Sequence, residues 1–209
     1  MVKRELILIG GGGHCKSCID VIEQEGKYTI VGILDLPDKK GNRVLDYEII
    51  GNDNDYEKYK QRNCEFLITV GQIKTATVRK KIFEKLNALD AKLAIVVSSR
   101  AYVSKHAIID KGTIVMHNAF VNAGAKVGAN CILNSGCNVE HDVVIGDYSH
   151  ISTGVFVNGD CKIGKEVFVG SNATISNQVN VGNHVIVGAG SLVIKNIESN
   201  RTVVGVPTK

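Results

Sequence analysis

Residues 139–163 read VEHDVVIGDYSHISTGVFVNGDCKI, and an aliphatic side chain returns in this stretch at every sixth position. The same step continues in both directions without a miss. The complete series is Val103, Ile109, Val115, Val121, Val127, Leu133, Val139, Ile145, Ile151, Val157, Ile163, Val169, Ile175, Val181, Val187 and Val193. A six-residue period is typical of a parallel β-helix. It predicts a rod in which each hexad forms one short strand with its aliphatic side chain inward.

A second series of small or β-branched residues precedes the first by two positions. Its members are Ala101, Ala107, Thr113, Ala119, Ala125, Cys131, Cys137, Val143, Ser149, Val155, Cys161, Val167, Ala173, Val179, Val185 and Ser191. One hexad cannot bury its own apolar face, but coils stacked roughly 4.8 Å apart share hydrogen bonds and an interior. With three hexads to a coil, the series predicts a little over five coils. Because parallel crossovers are right-handed by default, the period alone leaves the hand of the rod open.

The first hundred residues follow a different pattern, in which strands alternate with helices. The segments RELILIG, YTIVGILD, CEFLITVG and AKLAIVV are predicted strands, and CKSCIDVIEQE and TATVRKKIFEKLNAL are predicted helices. Ile19 and Ile22 form the apolar side of the first helix, and Val78, Ile82 and Leu86 that of the second. Such alternation predicts a parallel sheet flanked by helices.

A glycine-rich turn follows the first predicted strand. Glycines at positions 10–13 let backbone amides approach an anion at the amino end of a helix. Asp35 follows the second strand, where an acid accepts from a ribose hydroxyl or a base edge. Gly10 and Gly12 fit the start of a dinucleotide fingerprint, but Cys15 stands where its third glycine would be. A half-size domain of this type suits a single nucleotide, and a turn needed only for packing is the alternative.

Composition excludes several classes of protein. The formal net charge of +4 comes with no basic run and no interleaved aromatic residues, so we expect no nucleic-acid partner. The apolar run in MVKRELILIG is too short for a signal peptide, and no stretch approaches a membrane span. We therefore expect a cytoplasmic protein that does not insert into membranes.

The six cysteines divide into two groups. Cys131, Cys137 and Cys161 fall on the small inward position of the hexad, where they are predicted to fill the core. Cys15 and Cys18 form a CxxC pair, which is open to a redox function or to half of a zinc site. No second pair offers the remaining zinc ligands, so we predict no metal site there.

Three motifs, LIGGGGHCKS near the start, NVEHDVVIGDYSHIS in the rod and VVGVPTK at the end, give the whole chain a family resemblance. The chain resembles the bacterial sugar acetyltransferases typified by sialic acid O-acetyltransferases and UDP-4-amino-sugar N-acetyltransferases. The resemblance implies a Rossmann-like α/β domain over residues 1–98 and a left-handed β-helix over residues 99–209. It also implies a homotrimer with active sites between neighbouring rods, acetyl-CoA along the rod and a nucleotide-sugar acceptor held by the N-terminal domain.

The same resemblance assigns residues to these ligands. His141 is the expected general base with Asp142 as its acidic partner. The expected contacts with acetyl-CoA are His150, Gly159, Ser171 and Ala189, where Ala189 replaces a glycine of some members. The expected nucleotide contacts are Gly12, Gly13, His14, Asp35 and Gly71.

The hexad register places His141 at a corner of the rod, between Glu140 and Asp142. A neighbouring carboxylate fixes the tautomer of an imidazole and makes it a better proton acceptor near neutral pH. Corner position alone does not single it out, since the other corner histidines are His106, His117 and His184. His150 lies one step before an inward residue, on an outward strand face.

Three alternative functions remain open. Some β-helices of this shape bind zinc, but coils of 18 residues stack His117 over Ser135 and His141 over Gly159, so no two histidines align within a chain. A nucleotide-sugar sensor would need the glycine loop but no base. Among acetyl transfers, the glycine loop with Asp35 favours a nucleotide-linked 4-amino-sugar over O-acetylation of a sialic acid.

Overall fold

The computed structural model describes residues 3–208. Met1, Val2 and Lys209, at the ends of the two predicted domains, lie outside the described residues. An α/β domain comes first along the chain and a β-helical rod follows it. No helix among the described residues is long and apolar enough to cross a membrane.

The N-terminal domain contains one five-stranded sheet. Its elements are β1 (Arg4–Ile9), α1 (Gly13–Glu25), β2 (Tyr28–Leu34), β3 (Arg43–Val44), β4 (Tyr47–Gly51), α2 (Tyr56–Gln61), β5 (Glu65–Ile68) and α3 (Thr77–Ala88), with 3₁₀ turns at Pro37–Lys39 and Asp53–Asp55. The strand order is β3-β4-β2-β1-β5. Only β3 runs antiparallel to its neighbour. The predicted Rossmann-like alternation is confirmed.

Two details of this domain differ from the prediction. On α3, Val78 is 55% exposed while Arg79 is 1% exposed, so the prediction that Val78 lies on the apolar side of this helix is wrong. The helix is rotated because the Arg79 guanidinium finds backbone acceptors inside the protein. The last predicted strand is divided, since Leu93 pairs with Phe66 of the sheet and the following valines already belong to the rod.

The rod is a triangular prism made of two-residue strands. Face 1 contains β6 (Val96–Val97), β9 (Ile114–Val115), β12 (Ile132–Leu133), β15 (His150–Ile151), β18 (Phe168–Val169), β21 (Ile186–Val187) and β23 (Thr202–Val203). Face 2 contains β7 (Tyr102–Val103), β10 (Phe120–Val121), β13 (Asn138–Val139), β16 (Phe156–Val157), β19 (Thr174–Ile175) and β22 (Leu192–Val193). Face 3 contains β8 (Ile108–Ile109), β11 (Lys126–Val127), β14 (Val144–Ile145), β17 (Lys162–Ile163) and β20 (Asn180–Val181). Each strand pairs in parallel with the strand 18 residues away, as in the pairing of Val139 with Val121 and Val157. The rod is the expected left-handed β-helix.

The interior of the rod follows the predicted register. Every aliphatic residue of the series from Val115 to Val193 is at most 3% exposed, and Val103 and Ile109 are half-buried at the amino end. The predicted core cysteines of the rod are fully buried. Burial of each such aliphatic side chain contributes roughly 1.5–3 kcal/mol, so the stacked interior is the main source of stability in the rod.

The corners of the prism share one backbone feature that the sequence analysis did not detect. Every sixth residue has a positive φ angle: Gly112, Asn118, Gly124, Asn130, Gly136, Asp142, Tyr148, Gly154, Asp160, Glu166, Asn172, Gln178, His184 and Gly190. Glycine, asparagine and aspartate tolerate this left-handed conformation best, and they occupy most of these positions. Asp142 thus occupies a regular turn position that follows His141.

The N-terminal domain packs on face 1. The outward side chains of Ile114, Met116 and Ile132 are at most 1% exposed and share one apolar cluster with α1 and the sheet. An ion pair of 2.7 Å between Lys80 and Glu166 adds a polar contact. Faces 2 and 3 carry no part of the N-terminal domain sheet, so the edge between them lies on the opposite side of the prism from that domain.

We predict opposite outcomes for two aspartate substitutions on β13. Val139→Asp buries an unpaired charge inside the rod and should lower the free energy of unfolding by about 3–5 kcal/mol or prevent folding. Asn138→Asp, on the outward side of the same strand, should change it by less than about 0.5 kcal/mol. Denaturant unfolding measures both. A Val139→Asp protein as stable as the Asn138→Asp control would contradict the register.

Candidate active site

A cavity of about 1140 Å³ lies beyond the carboxyl ends of β1, β2 and β5. This is the place where open parallel sheets bind ligands, because β1 has neighbours on both sides that are reached by diverging connections. The five residues predicted to contact a nucleotide all line it: Gly12, Gly13, His14, Asp35 and Gly71. The structure therefore brings together residues that are far apart in the sequence.

The glycine turn leaves the amino end of α1 open toward this cavity. Gly12 caps α1 with extended backbone, no side chain caps the helix, and its first turn has no acidic residue. Gly10 has a φ of 99°, and a β-carbon there would collide with Val70. Free amides at a helix amino end favour an anionic group such as a phosphate.

Asp35 holds the glycine turn in place. Its carboxylate accepts hydrogen bonds of 2.7 Å from the Gly11 and Leu36 amides, and Lys39 Nζ lies 3.2 Å away. Partial burial by itself raises the pKa of Asp35, but these hydrogen bonds and the lysine charge outweigh it, so the pKa is lowered. Asp35 is therefore ionised at neutral pH and lies at the cavity wall.

The mouth of the cavity combines positive charge with exposed aliphatic side chains. Its lysines are Lys39, Lys74, Lys81 and Lys85. Lys39 pairs with Asp35, and Lys85 pairs with Asp53 at 2.9 Å. Leu36, Ile73 and Val78 are each more than half exposed at the same mouth. Such a lining suits a ligand that has both an apolar planar part and negative charge.

Two residues that the sequence analysis missed form the inner wall. Arg79 donates to the carbonyls of Ile68 and Val70 at 2.8 Å and to that of Asn130 at 3.0 Å, which joins β5 to the rod. Gln72 is 3% exposed and donates from Nε2 to the carbonyl of Tyr148 at 2.8 Å. Arginine in the middle of a predicted apolar helix face was the only sequence signal for this wall.

His141 lies on the edge between faces 2 and 3, which we call the His141 edge. Its Nδ1 is 3.0 Å from Oδ2 of Asp142, and the imidazole is 58% exposed. Because a carboxylate accepts, Nδ1 carries the proton and Nε2 keeps a free lone pair. Glu140, the other flanking acid, is bound to Asn122 one coil earlier. Asp142 alone orients the ring.

Gly159 lies directly beneath the His141 ring, as the 18-residue stacking predicted. A β-carbon at Gly159 would be 2.5 Å from Nε2 of His141, so any side chain there would displace the imidazole. The ring covers Gly159, which is buried. Gly159 thus gives the imidazole its space on the edge.

Ser171 and Ala189 lie on a different edge, between faces 1 and 2, which we call the Ser171 edge. They occupy equivalent positions in successive coils, because Gly190 N donates to the carbonyl of Ser171 at 2.8 Å. The Ser171 hydroxyl is 3.0 Å from that of Ser152. The residues predicted to contact acetyl-CoA are thus divided between the two edges of face 2.

His150 points outward from face 1, but the N-terminal domain covers it. It is 7% exposed, so the surface strand position that the register suggested is wrong. Its Nδ1 lies 2.6 Å from the carbonyl of Gln72 and its Nε2 lies 3.1 Å from Nδ2 of Asn134. Burial lowers the pKa of His150 to about 4. The ring lies far around the prism from the His141 edge.

The other candidate groups have structural partners. His117 is held between the Ser98 hydroxyl at 2.6 Å and the Asp20 carboxylate at 2.7 Å. Cys15 and Cys18 are buried, and burial raises the pKa of both thiols, that of Cys15 to about 11. Within residues 3–208, no cluster of three or more histidine, cysteine, aspartate or glutamate side chains is arranged to hold a metal ion.

Comparison with known proteins gives the class that this fold and site define. Residues 5–86 match the family model described as the PglD N-terminal domain. Residues 124–159 and 160–195 match the model described as bacterial transferase hexapeptide (six repeats). No curated protein sequence matches the chain.

Solved structures extend the likeness over the whole chain. The acetyltransferase domain of PglB from Neisseria gonorrhoeae FA1090 is 32% identical, with 99% of each chain covered and a TM-score of 0.91. Its complex with acetyl coenzyme A is 31% identical, covers 100% of this chain and 99% of that chain, and has a TM-score of 0.91. A histidine-to-asparagine mutant of perosamine N-acetyltransferase from Caulobacter crescentus, in complex with CoA and GDP-perosamine, is 26% identical, covers 98% of this chain and 95% of that chain, and has a TM-score of 0.92.

These likenesses define the family. This chain belongs to the hexapeptide-repeat sugar acetyltransferases. The protein is therefore an acyltransferase, as the resemblance of its motifs indicated.

Buried histidines make stability depend on pH. His150 has a pKa of about 4 when folded, and burial, with Arg79 and His150 nearby, lowers the pKa of His14 to about 3. An unfolded histidine has a pKa of about 6.5, so below that pH the unfolded chain binds more protons and stability falls as pH falls. We predict a loss of about 2 kcal/mol from His150 alone between pH 7 and pH 5. Denaturant unfolding of the wild type and of His150→Asn measures this loss, and an equal decrease in both proteins would contradict it.

Proposed function

We propose that the protein transfers the acetyl group of acetyl-CoA directly to the 4-amino group of a nucleotide-linked amino sugar in surface glycan biosynthesis. The observation that carries this proposal is the pairing of two features in one chain. A glycine-walled, lysine-rimmed cavity suits a nucleotide, and an exposed histidine on the rod has its tautomer set by Asp142. The complexes of related proteins with acetyl coenzyme A, CoA and GDP-perosamine support the same ligands here.

The cavity accounts for the nucleotide part of the acceptor. The open amino end of α1 and the lysines at the mouth offer positive charge to a diphosphate. The exposed aliphatic side chains of Leu36, Ile73 and Val78 offer apolar contact to a planar base. Gly12, Gly13, His14, Asp35 and Gly71 are the proposed nucleotide contacts.

His141 is the proposed general base. The amine nitrogen attacks the thioester carbonyl carbon and passes a proton to Nε2 of His141, and Asp142 stabilises the imidazolium. When the C–S bond breaks, the imidazolium returns that proton to the sulfur of CoA. A backbone amide would stabilise the oxyanion. Because both substrates lie side by side, no covalent enzyme intermediate is needed.

The position of His141 requires a second chain. The N-terminal domain covers face 1, and the His141 edge lies opposite that face, so the cavity of a chain opens away from its own His141. The outward residues of face 2 include exposed aromatic rings, since Tyr102 is 57% and Phe156 is 46% exposed. Tyr102 stacks on Phe120 with ring centroids 5.2 Å apart. An apolar surface beside the His141 edge suits a neighbouring subunit.

We therefore place the active site between subunits of a homotrimer. Acetyl-CoA would run along the rod at the seam, where the Ser171 edge of one chain and the His141 edge of another meet. Ser171, Ala189 and the backbone near Gly159 are the proposed coenzyme contacts. The six cysteines are free, as is usual in a reducing compartment, which supports a cytoplasmic reaction.

The substrate class is tested by supplying acetyl-CoA with UDP-, GDP- and dTDP-linked 4-amino sugars, beside CMP-sialic acid and free sialic acid. Mass spectrometry detects the gain of one acetyl group. We expect acetylation of a nucleotide-linked amino sugar. Acetylation of a sialic acid alone would replace the proposal with O-acetyl transfer, and stoichiometric zinc in the active protein would point to another chemistry.

We predict that His141→Asn lowers kcat on the acetylated sugar by about 10²- to 10⁴-fold, because the amine loses its proton acceptor. The KM values of both substrates should change less than about threefold, since the base does not hold either substrate. His184→Ala is the matched control. His184 is a half-exposed corner histidine 3.6 Å from Glu166, and its loss should leave kcat unchanged. A His141→Asn enzyme with nearly normal kcat would remove His141 from the mechanism.

A further inference from the structure

The loop after β5 forms one wall of the cavity and is fastened to the rod at a single residue. Gly71, Gln72, Ile73, Lys74 and Thr75 all line the cavity. Only Gln72 of these is buried, and both of its polar attachments go to the rod. Its carbonyl meets Nδ1 of His150 at 2.6 Å, and its Nε2 donates to the carbonyl of Tyr148 at 2.8 Å.

The hydrogen bonds of His150 fix its tautomer. A carbonyl oxygen only accepts, so Nδ1 must carry the proton that points to Gln72. Nε2 then has a lone pair, which accepts from Nδ2 of Asn134 at 3.1 Å. The ring also contacts Phe168 edge-on, with centroids 5.3 Å apart. Both ring nitrogens are thus engaged within the chain.

The loop position also determines the opposite wall. Gly71 packs against His14, because a β-carbon at Gly71 would lie 3.5 Å from Cβ of His14. His14 follows the glycine turn at the start of α1. A displacement of Gln72 would therefore change the distance between the two loops that face each other across the cavity.

We propose that His150 is a positioning residue for the nucleotide site: its Nδ1–H holds the Gly71–Thr75 loop against the rod and so sets the width of the cavity. This inference rests on the proposed function, since it takes the cavity to hold a nucleotide. It replaces the role that the family resemblance implied for His150, a contact with acetyl-CoA. A ring that is 7% exposed with both nitrogens bonded has no free polar atom to offer the coenzyme.

The test compares His150→Phe with His150→Asn. Phenylalanine keeps the planar shape but removes the donor, whereas the asparagine amide nitrogen can take the place of Nδ1 and donate to Gln72. Isothermal titration calorimetry with UDP, GDP and CoA gives the three affinities, and steady-state kinetics separates KM from kcat. Thermal unfolding checks that both variants fold.

We expect His150→Phe to weaken binding of the preferred nucleoside diphosphate about tenfold, with the same rise in KM for the nucleotide sugar. The kcat and the affinity for CoA should stay within about threefold of wild type, and His150→Asn should restore nucleotide binding. Unchanged nucleotide binding in His150→Phe would overturn the inference. A selective loss of CoA affinity would do the same and would return His150 to the coenzyme site.

A measurement on the wild type keeps the inference testable if His150→Phe does not fold. In ¹⁵N-histidine NMR, with the His150 signals assigned from the His150→Asn spectrum, we expect a neutral Nδ1–H ring that does not titrate between pH 5.5 and 8. An Nε2–H tautomer, or titration near pH 6.5, would overturn the inference. Failure of the wild type to bind UDP, GDP or any nucleotide sugar would instead contradict the proposed function, from which the inference follows.

Discussion

The stacking of identical coils, each with one aliphatic side chain per hexad pointing inward, is the constraint on which the rest of the structure depends. Strands pair 18 residues apart along the whole rod, as Val121, Val139 and Val157 do on face 2. The interior that results is apolar and closed, so polar chemistry has no place inside it. Reactive side chains are confined to edges and to outward strand positions.

That confinement explains how one edge is specialised. The turn residue after each corner adopts a left-handed backbone, and at the His141 edge this residue is Asp142, whose carboxylate lies against the imidazole. The residue one coil further on is Gly159, which leaves the ring its space. Three residues at fixed offsets therefore create a proton acceptor on an otherwise regular turn. No change in the backbone of the rod is needed.

The sequence allowed prediction of the elements that periodicity controls. The rod, its inward residues and the stacking of His141 over Gly159 follow from a repeat of six, and the five cavity residues follow from glycine and acid positions after strands. Prediction failed where one domain covers another. Val78 and Arg79 exchange places on α3 because a buried guanidinium finds carbonyl acceptors across the domain boundary, and His150 is buried because face 1 carries the N-terminal domain. Apolar outward residues such as Ile114 and Ile132 were the signal for that cover.

The two halves of the proposed site lie on opposite sides of one chain, so the account depends on a partner. Its nearest evidence within the chain is the exposed aromatic surface of face 2, beside the His141 edge. The trimer gives each cavity a histidine that its own chain cannot present. Substrate binding and proton transfer would then belong to different subunits.

The most direct test of this claim is complementation between two inactive chains that carry different affinity tags. His141→Ala lacks the base, and Gly12→Glu places a negative charge in open space at the amino end of α1, where a phosphate would bind. Each variant alone should be inactive. Mixed trimers purified through both tags should recover about a third of wild-type activity, because one of three seams then joins an intact cavity to an intact histidine. Mixed trimers with no activity, or a fully active wild-type monomer, would contradict a site shared between chains.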